Sequence, residues 1–259
     1  MSIVSKYNLT QYDSIVTGNK TQNGEDIMSV RIGHASISEK GTTNGAKGDQ
    51  TGKEVCTRTW YSKPWDYMAL HPDAQVREKH AKAIEAACAN NNIGYGQNDR
   101  NTLNTLAKAV GYDLSKVGKC NCDCSSLQNV AAVASGAPGA VYGNNGWTTA
   151  TMKTALQKLG YKIITDRTYL ASASYCVRGA VYVKSSSHTV CGLDNGASYK
   201  KTLEKAGITI KDNKKSIEKI VQEVIAGKWG NGAERRKRLE AAGYNYEQIQ
   251  AAINKSCKN

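Results

Sequence analysis

The sequence predicts an α+β fold followed by a small all-helical end, and three observations carry that expectation. Helix signals with their caps crowd residues 74–159, β-rich runs follow at 161–193, and a second set of short amphipathic helices lies beyond 216. Helices first and strands after is an α+β order, without the regular alternation of a parallel doubly wound sheet.

Residues 1–27 read as a polar, Asn/Thr/Gly-rich tail to which no structure is assigned. One short strand is expected over 30–37, followed by the turn-rich Gly41-Thr42-Thr43-Asn44-Gly45. Pro72-Asp73 opens a helix over 74–90, with Asp73 as N-cap and an alanine-rich face. Further helices are expected over 102–110, from Cys124 to Gly136, and over 149–159, the first and last closed by Gly111 and Gly160. Strands are expected at 161–165, 179–183 and 188–193, the last two joined by a hairpin loop at Lys184-Ser185-Ser186-Ser187. Asp212-Asn213-Lys214-Lys215 reads as a boundary, which divides the chain into 1–27, 28–211 and 212–259. Beyond it Ile217, Ile220, Val221, Val224 and Ile225 fall at i, i+3, i+4, i+7 and i+8, one face of a helix ended by Gly227. Helices over 233–242 and 247–255 complete a minimal three-helix bundle, with Asn245 near the last cap.

A chain of 259 residues accommodates one sizeable domain plus a small one. Phenylalanine is absent and tyrosine frequent, a bias with no physical account here. The formal charge of +13 favours polyanionic partners: nucleic acid, an anionic membrane surface or the wall polymers of a Gram-positive bacterium. The basic residues are spread out, with one short run at Arg235-Arg236-Lys237-Arg238. No stretch of 18 apolar residues exists, so no membrane insertion is expected. The polar N-terminus has no apolar core segment, so no secretory signal is read there. Eight cysteines without such a signal argue against a disulfide framework.

Asp123-Cys124-Ser125-Ser126 leads directly into an apolar helical run. A cysteine there meets unpaired N–H groups and the positive end of the helix dipole, which are expected to favour thiolate and raise nucleophilicity. The bland alternative is a small buried apolar residue. His188 follows three serines at the start of a strand, where the ladder would hold a base rigidly. His34, His71 and His80, in a loop, before a proline and on the alanine-rich helix, read as ordinary surface histidines. Asp194 and Asn195 lie roughly 20 Å along the strand from His188 at about 3.3 Å per residue, too far to orient its ring. The orienting group must therefore come from a neighbouring strand or a backbone carbonyl.

Asp-Cys-Ser-Ser opening a helix, then His-Thr-Val starting a strand some sixty residues on, resembles the NlpC/P60 papain-like superfamily and in particular phage peptidoglycan amidohydrolases. The run from Gly48 to Val55 is similar to segments of phage lysins. The resemblance spans 28–196 and implies helices packed on a small antiparallel sheet, with Cys124 as nucleophile and His188 as base. Asp123 and Ser125 are then expected to contact substrate. One departure is that Gly179 is followed by Ala180, where the superfamily often has Gly-Asp.

Three other signals are set aside. Cys120, Cys122 and Cys124 lack the spacing and second pair of a structural zinc site, leaving Cys176 and Cys191 to complete one only by coincidence of folding. Gly48 to Lys53 fails the phosphate-loop spacing, with Glu54 where Ser or Thr is needed, and no His-Glu-x-x-His motif exists. No metal and no cofactor are expected.

Gly227-Lys228-Trp229-Gly230-Asn231-Gly232, then Glu234-Arg235-Arg236 and Leu239 to Tyr244, resembles the Cpl-7-type (CW_7) cell-wall-binding repeat over 216–254. Trp229 would stack on a sugar face with Arg235 and Arg236 beside it, or else plug the core of a very small bundle. Such repeats usually occur in tandem and here there is one, which limits avidity. The resulting expectation is a phage endolysin cleaving an amide of peptidoglycan, as an N-acetylmuramoyl-L-alanine amidase. It would be made in the host cytoplasm and released through a holin or at lysis. Its partners are peptidoglycan and anionic wall polymers, and not nucleic acid. The alternatives are a stem-peptide endopeptidase of the same fold, a Cys–His acyltransferase with another substrate, and a non-enzymatic basic wall- or nucleic-acid-binding protein.

Overall fold

Antiparallel pairing organises the first part of the chain in the computed structural model, which describes residues 29–37, 41–209, 215–242 and 244–256. The expected tail at 1–27 lies outside these residues. In chain order the elements are β1 (Arg31–Ala35), β2 (Val55–Thr59), β3 (Tyr67–Leu70), α1 (Ala74–Cys88), β4 (Ile93–Tyr95) and α2 (Thr102–Ala109). There follow β5 (Cys120–Cys122), α3 (Cys124–Ala134), α4 (Met152–Lys158), β6 (Lys162–Ile164), α5 (Arg167–Leu170), β7 (Val181–Lys184), β8 (His188–Gly192) and α6 (Tyr199–Lys205). The chain divides into two units between Thr202 and Leu203. The architecture is α+β, as the order of sequence signals implies.

Six strands form one antiparallel sheet in the order β2-β1-β8-β7-β3-β6, and β4 and β5 form a separate parallel pair. Strands alternate their side chains between faces. Ala35, Cys191, Val181, Val183, Tyr67 and Ala69 all belong to buried clusters, shared with Ala81 and Ile84 of α1, Leu127 and Val130 of α3, and Met152 and Leu156 of α4. Burial of apolar surface at roughly 25 cal/mol per Å² makes this layer of helices on sheet the main source of stability.

Caps fix where the helices start. Asp73 accepts from the Gln75 N–H at 2.7 Å and begins α1 as expected. Asp123 accepts from Ser126 N at 2.7 Å while Ser126 Oγ accepts from Asp123 N at 2.8 Å, a capping box that sets the first residue of α3 at Cys124. The 184–188 hairpin closes between β7 and β8, with Lys184 opposite His188 and Ser186 at φ 57° in its turn. Gly94 in β4 cannot carry a side chain, because a Cβ would lie 2.3 Å from the Gly48 carbonyl oxygen. That close approach seats the 45–54 loop against the β4–β5 pair.

Four strands escape the sequence patterns. All four residues of β3 are buried, so no alternation marks it. Strand β2 carries exposed Thr57, Arg58 and Thr59 on an outer edge, and β4 and β5 have three residues each.

The second unit contains α7 (Ile217–Ile225), α8 (Gly232–Ala241) and α9 (Tyr246–Ser256). Ser216 caps α7 through the Lys219 N–H, and Asn245 accepts from Gln248 N at the start of α9. Ile220, Val221, Val224, Leu239, Ile249 and Ile253 form its buried core, with Trp229 and Tyr244 packed at the side. Among the described residues no helix is long and apolar enough to cross a membrane.

Candidate active site

Cys124 is the first residue of α3, where β5 hands the chain to the helix. The backbone N–H groups of Ser125 and Thr189 lie near enough to its sulfur to favour the thiolate, and α3 packs on β8, so the nucleophile candidate lies against the strand that begins with His188. The expectation that the helix terminus would favour thiolate is corrected by the surroundings. Burial dominates and the neighbouring Asp123 carboxylate adds to it, pushing the thiol up to about 12 against the two N–H groups and Arg100, which pull it down. At neutral pH the group is therefore a thiol.

His188 is turned toward β1. Its Nε2 lies 3.0 Å from His34 Nδ1, and its ring packs against the rings of His34 (centroids 5.2 Å apart) and Trp65 (6.4 Å). Register explains the meeting. Gly33 pairs with Cys191, so the next step sets His34 against Val190 and leaves His188 as the diagonal neighbour on the same face. On its other side His34 stands opposite Cys56 of β2, with Cys56 Sγ 3.7 Å from His34 Nε2. Three strands thus present a row of Cys56, His34 and His188. Burial first, then the charge of Lys63, lowers His188 to about 4. Burial, His188, Arg58 and Lys63 lower His34 to about 3.

The reading of three spare histidines as surface residues is overturned. His34 is 2% exposed and lies on β1 rather than in a loop, His71 is 6% exposed and His80 is fully buried, its Nε2 on Gln128 Oε1 at 2.9 Å. Asp194 and Asn195 take no part at His188: Asp194 holds Arg31 at 2.8 Å and Asn195 accepts from Arg178 N. The neighbouring-strand partner that the sequence left unnamed is His34. The available signal was its position within the strand expected over 30–37.

Asp123 and Ser125 are committed to the architecture of the helix start. Besides the cap, Asp123 Oδ1 accepts from Ser125 Oγ at 3.0 Å and from Arg100 Nη2 at 3.1 Å. Arg100 Nε lies 2.7 Å from Oδ2 as an ion pair, at an angle too oblique for a hydrogen bond. Arg100 also donates to Ser125 Oγ and to the Trp147 carbonyl, tying the loop before α4 to the start of α3. Nothing in the sequence singled out Arg100. Among the described residues no hydrogen bond joins the Cys124 thiol to either histidine. Catalytic pairs often tighten only once substrate is bound.

Cys120 and Cys122 are buried within β5 and Cys176 and Cys191 within the core, and all of the described cysteines are free thiols. Among the described residues no group of three or more His, Cys, Asp or Glu side chains is arranged to hold a metal ion. The 48–55 run is a folded loop held by its own acids: Asp49 accepts from Thr51, Gly52 and Glu54 N–H groups, and buried Glu54 accepts from Gln50 N and Tyr95 N.

In the second unit Trp229 is partly buried, donates its indole N–H to Glu223 at 3.1 Å and meets Tyr244 edge-on. It also lines an open groove of about 630 Å³ together with Lys215, Glu223, Lys228, Arg238 and Ala242. Arg235 bonds Gly230 O and Asn231 Oδ1. Arg236 bonds Glu240 and Glu247 and lies over Tyr246. Neither lines the groove; Arg238 does.

The chain belongs to the endolysin-like domain family, whose match covers residues 32–199. Residues 218–256 match the CW_7 repeat. No curated protein and no solved structure matches the chain. Together the two matches describe a peptidoglycan-targeting endolysin with a cell-wall-binding repeat.

Proposed function

We propose that the first unit is a cysteine amidohydrolase of the NlpC/P60 papain-like type, that Cys124 is its nucleophile and His188 its base, and that it cleaves the N-acetylmuramoyl-L-alanine amide. The observation that carries the reading is the packing of α3 on β8, which brings the Cys124 sulfur near the Thr189 N–H, one residue from a histidine whose Nε2 is already engaged by His34. That engagement leaves His188 Nδ1 as the nitrogen available to the thiol. His34 is a positioning residue: it fixes the ring and, by accepting the Nε2 proton, makes Nδ1 the basic atom.

The resting pair is a neutral thiol and a neutral imidazole, so attack and proton transfer go together. As the sulfur bonds to the substrate carbonyl carbon, its proton passes to His188. The imidazolium then protonates the departing amine. The N–H groups of Ser125 and Thr189 that now face the sulfur stand near the developing oxyanion. Water, deprotonated by His188, releases the acyl group and restores the thiol. The catalytic part is taken as 28–211 and the wall-binding part as 212–259. In the latter the groove under Trp229 takes a sugar face of the wall, and the adjoining cations meet its anionic groups. Made in the host cytoplasm, the protein would meet the wall on release.

Digestion of purified walls, labelling of new amino termini and fragment masses test this. An amidase frees the alanine amine and leaves glycan without peptide. A stem endopeptidase leaves that alanine on the muramic acid. New reducing sugars without new amines would replace the whole reading by a glycosidase.

A further inference from the structure

Between Tyr61 and Trp65 the chain faces two ways. Tyr61 edges onto His34 with centroids 6.4 Å apart and stands near the Cys124 sulfur, while Trp65 lies against His188. The three residues between them, Ser62, Lys63 and Pro64, turn outward and line a cavity of about 300 Å³ with Arg167, Leu170 and Ala171. Two cations from separate segments share this small space, and no acidic residue lines it. Among the described residues neither Lys63 nor Arg167 has a carboxylate partner. The nearest acids in sequence are occupied: Asp66 holds Lys184 and Ser185 N, and Asp166 accepts from Thr168 N. The two cations give the cavity a positive lining that complements an entering anion. Lys63 is close enough to depress both His34 and His188, so the cavity adjoins the reacting centre electrically as well as in space.

We propose that this cavity is a subsite for a carboxylate of the peptidoglycan stem peptide, bound between Lys63 and Arg167 with the residue's carbon skeleton on Pro64, Leu170 and Ala171. The assignment rests on the hydrolase reading above and names the substrate feature that reading leaves open. The apolar floor selects a carboxylate borne on an amino-acid residue over a bare inorganic anion. The guanidinium presents a planar fork to the two oxygens and the ammonium a point charge. An amide in place of the carboxylate loses both charge-assisted contacts.

The probes are synthetic N-acetylmuramoyl pentapeptides with all carboxylates free, with the glutamyl carboxylate amidated, or with the terminal carboxylate amidated. Steady-state turnover uses the full chain, and calorimetric binding uses Cys124→Ser. One carboxylate is expected to matter: its amidation lowers kcat/KM, and binding to Cys124→Ser, by about tenfold or more. Lys63→Gln and Arg167→Gln bring that acid-to-amide ratio toward one, and Lys63→Arg keeps it. Equal handling of all three probes by the wild-type chain overturns the subsite, as does a ratio unchanged in folded Lys63→Gln and Arg167→Gln. Inhibition by inorganic phosphate without any acid-to-amide preference assigns the cavity to phosphate groups and also overturns it. Preferential binding of the acid without turnover keeps the subsite and removes the hydrolase reading instead.

Discussion

Arg100 in the first unit and Arg236 in the second are each held by acidic oxygens, yet they are different devices. Arg100 is 15% exposed and its carboxylate partner 13%. Arg236 is 53% exposed and pairs with Glu240 and Glu247 at the surface. The first unit has a core large enough to bury charge, and it uses that capacity at the start of α3, where one guanidinium holds the cap, Ser125 and the Trp147 loop together. Among the described residues the helices of the second unit share a core of six buried apolar side chains, and its ion-paired charges lie outside that core. Its tryptophan serves the core edge and the groove at once. A side chain chosen as a substrate contact from sequence therefore means different things in the two places. In the large unit it is consumed by the scaffold, and in the small one Trp229 packs at the core edge and also lines the open groove.

The predictions sharpen this contrast in order of size. Cys124→Ala should reduce wall hydrolysis by at least about a thousandfold with folding intact, since no other group replaces the nucleophile. Residual hydrolysis near the wild-type rate would remove Cys124 from the mechanism. Arg100→Ala leaves Asp123 buried without its ion pair and should destabilise the first unit by about 3 kcal/mol, read from denaturant midpoints. A change under about 1 kcal/mol would make Arg100 no different from a surface arginine. His34→Ala should lower kcat by about 10- to 100-fold with KM little changed, and His34→Asn should recover part of it, as expected of an orienting group.

Acid should act on the first unit next. His34, lowered to about 3, and His80, lowered to about 4, stay neutral in the fold while the unfolded chain binds protons from about pH 6.5 downward. Their contribution is therefore complete above pH 6.5 and is lost as the pH falls toward 4, at about 1.4 kcal/mol per pH unit for each group. A melting temperature flat between pH 6.5 and 4.5 would contradict the buried neutral rings. The smallest effect belongs to Arg236→Ala, expected to change the stability of the second unit by less than about 0.5 kcal/mol, since exposed pairs contribute little.

Much of the fold was legible because its cues are local. Asp73, Asp123 and Ser216 cap the helices that their neighbours suggest. The hairpin at 184–188 forms where the serine run sits between two β-rich segments. What failed to show were elements defined by remote partners: β3, buried on both faces, and the β4–β5 pair, whose meaning lies in the loop it seats. The site divides in the same way. Cys124 and His188 stand out by local context, whereas His34 and Arg100 acquire roles only through residues 154 and 23 positions away. The thiol's resistance to ionisation was invisible for a related reason. A helix terminus can be read from sequence, and the depth at which it is buried cannot.

The place of β1 in the sheet has a consequence for biosynthesis. Although β1 precedes the other strands in sequence, one of its two neighbours, β8, is the last strand of the sheet. The ring pair it makes with His188 closes a span of 154 residues, and closing so long a loop is a late, entropically costly event. A ribosome-bound chain that already displays Cys124 at its helix still lacks the strand that carries His188. The grouping of Cys124, His34 and His188 is thereby completed only when nearly the whole first unit has been synthesised.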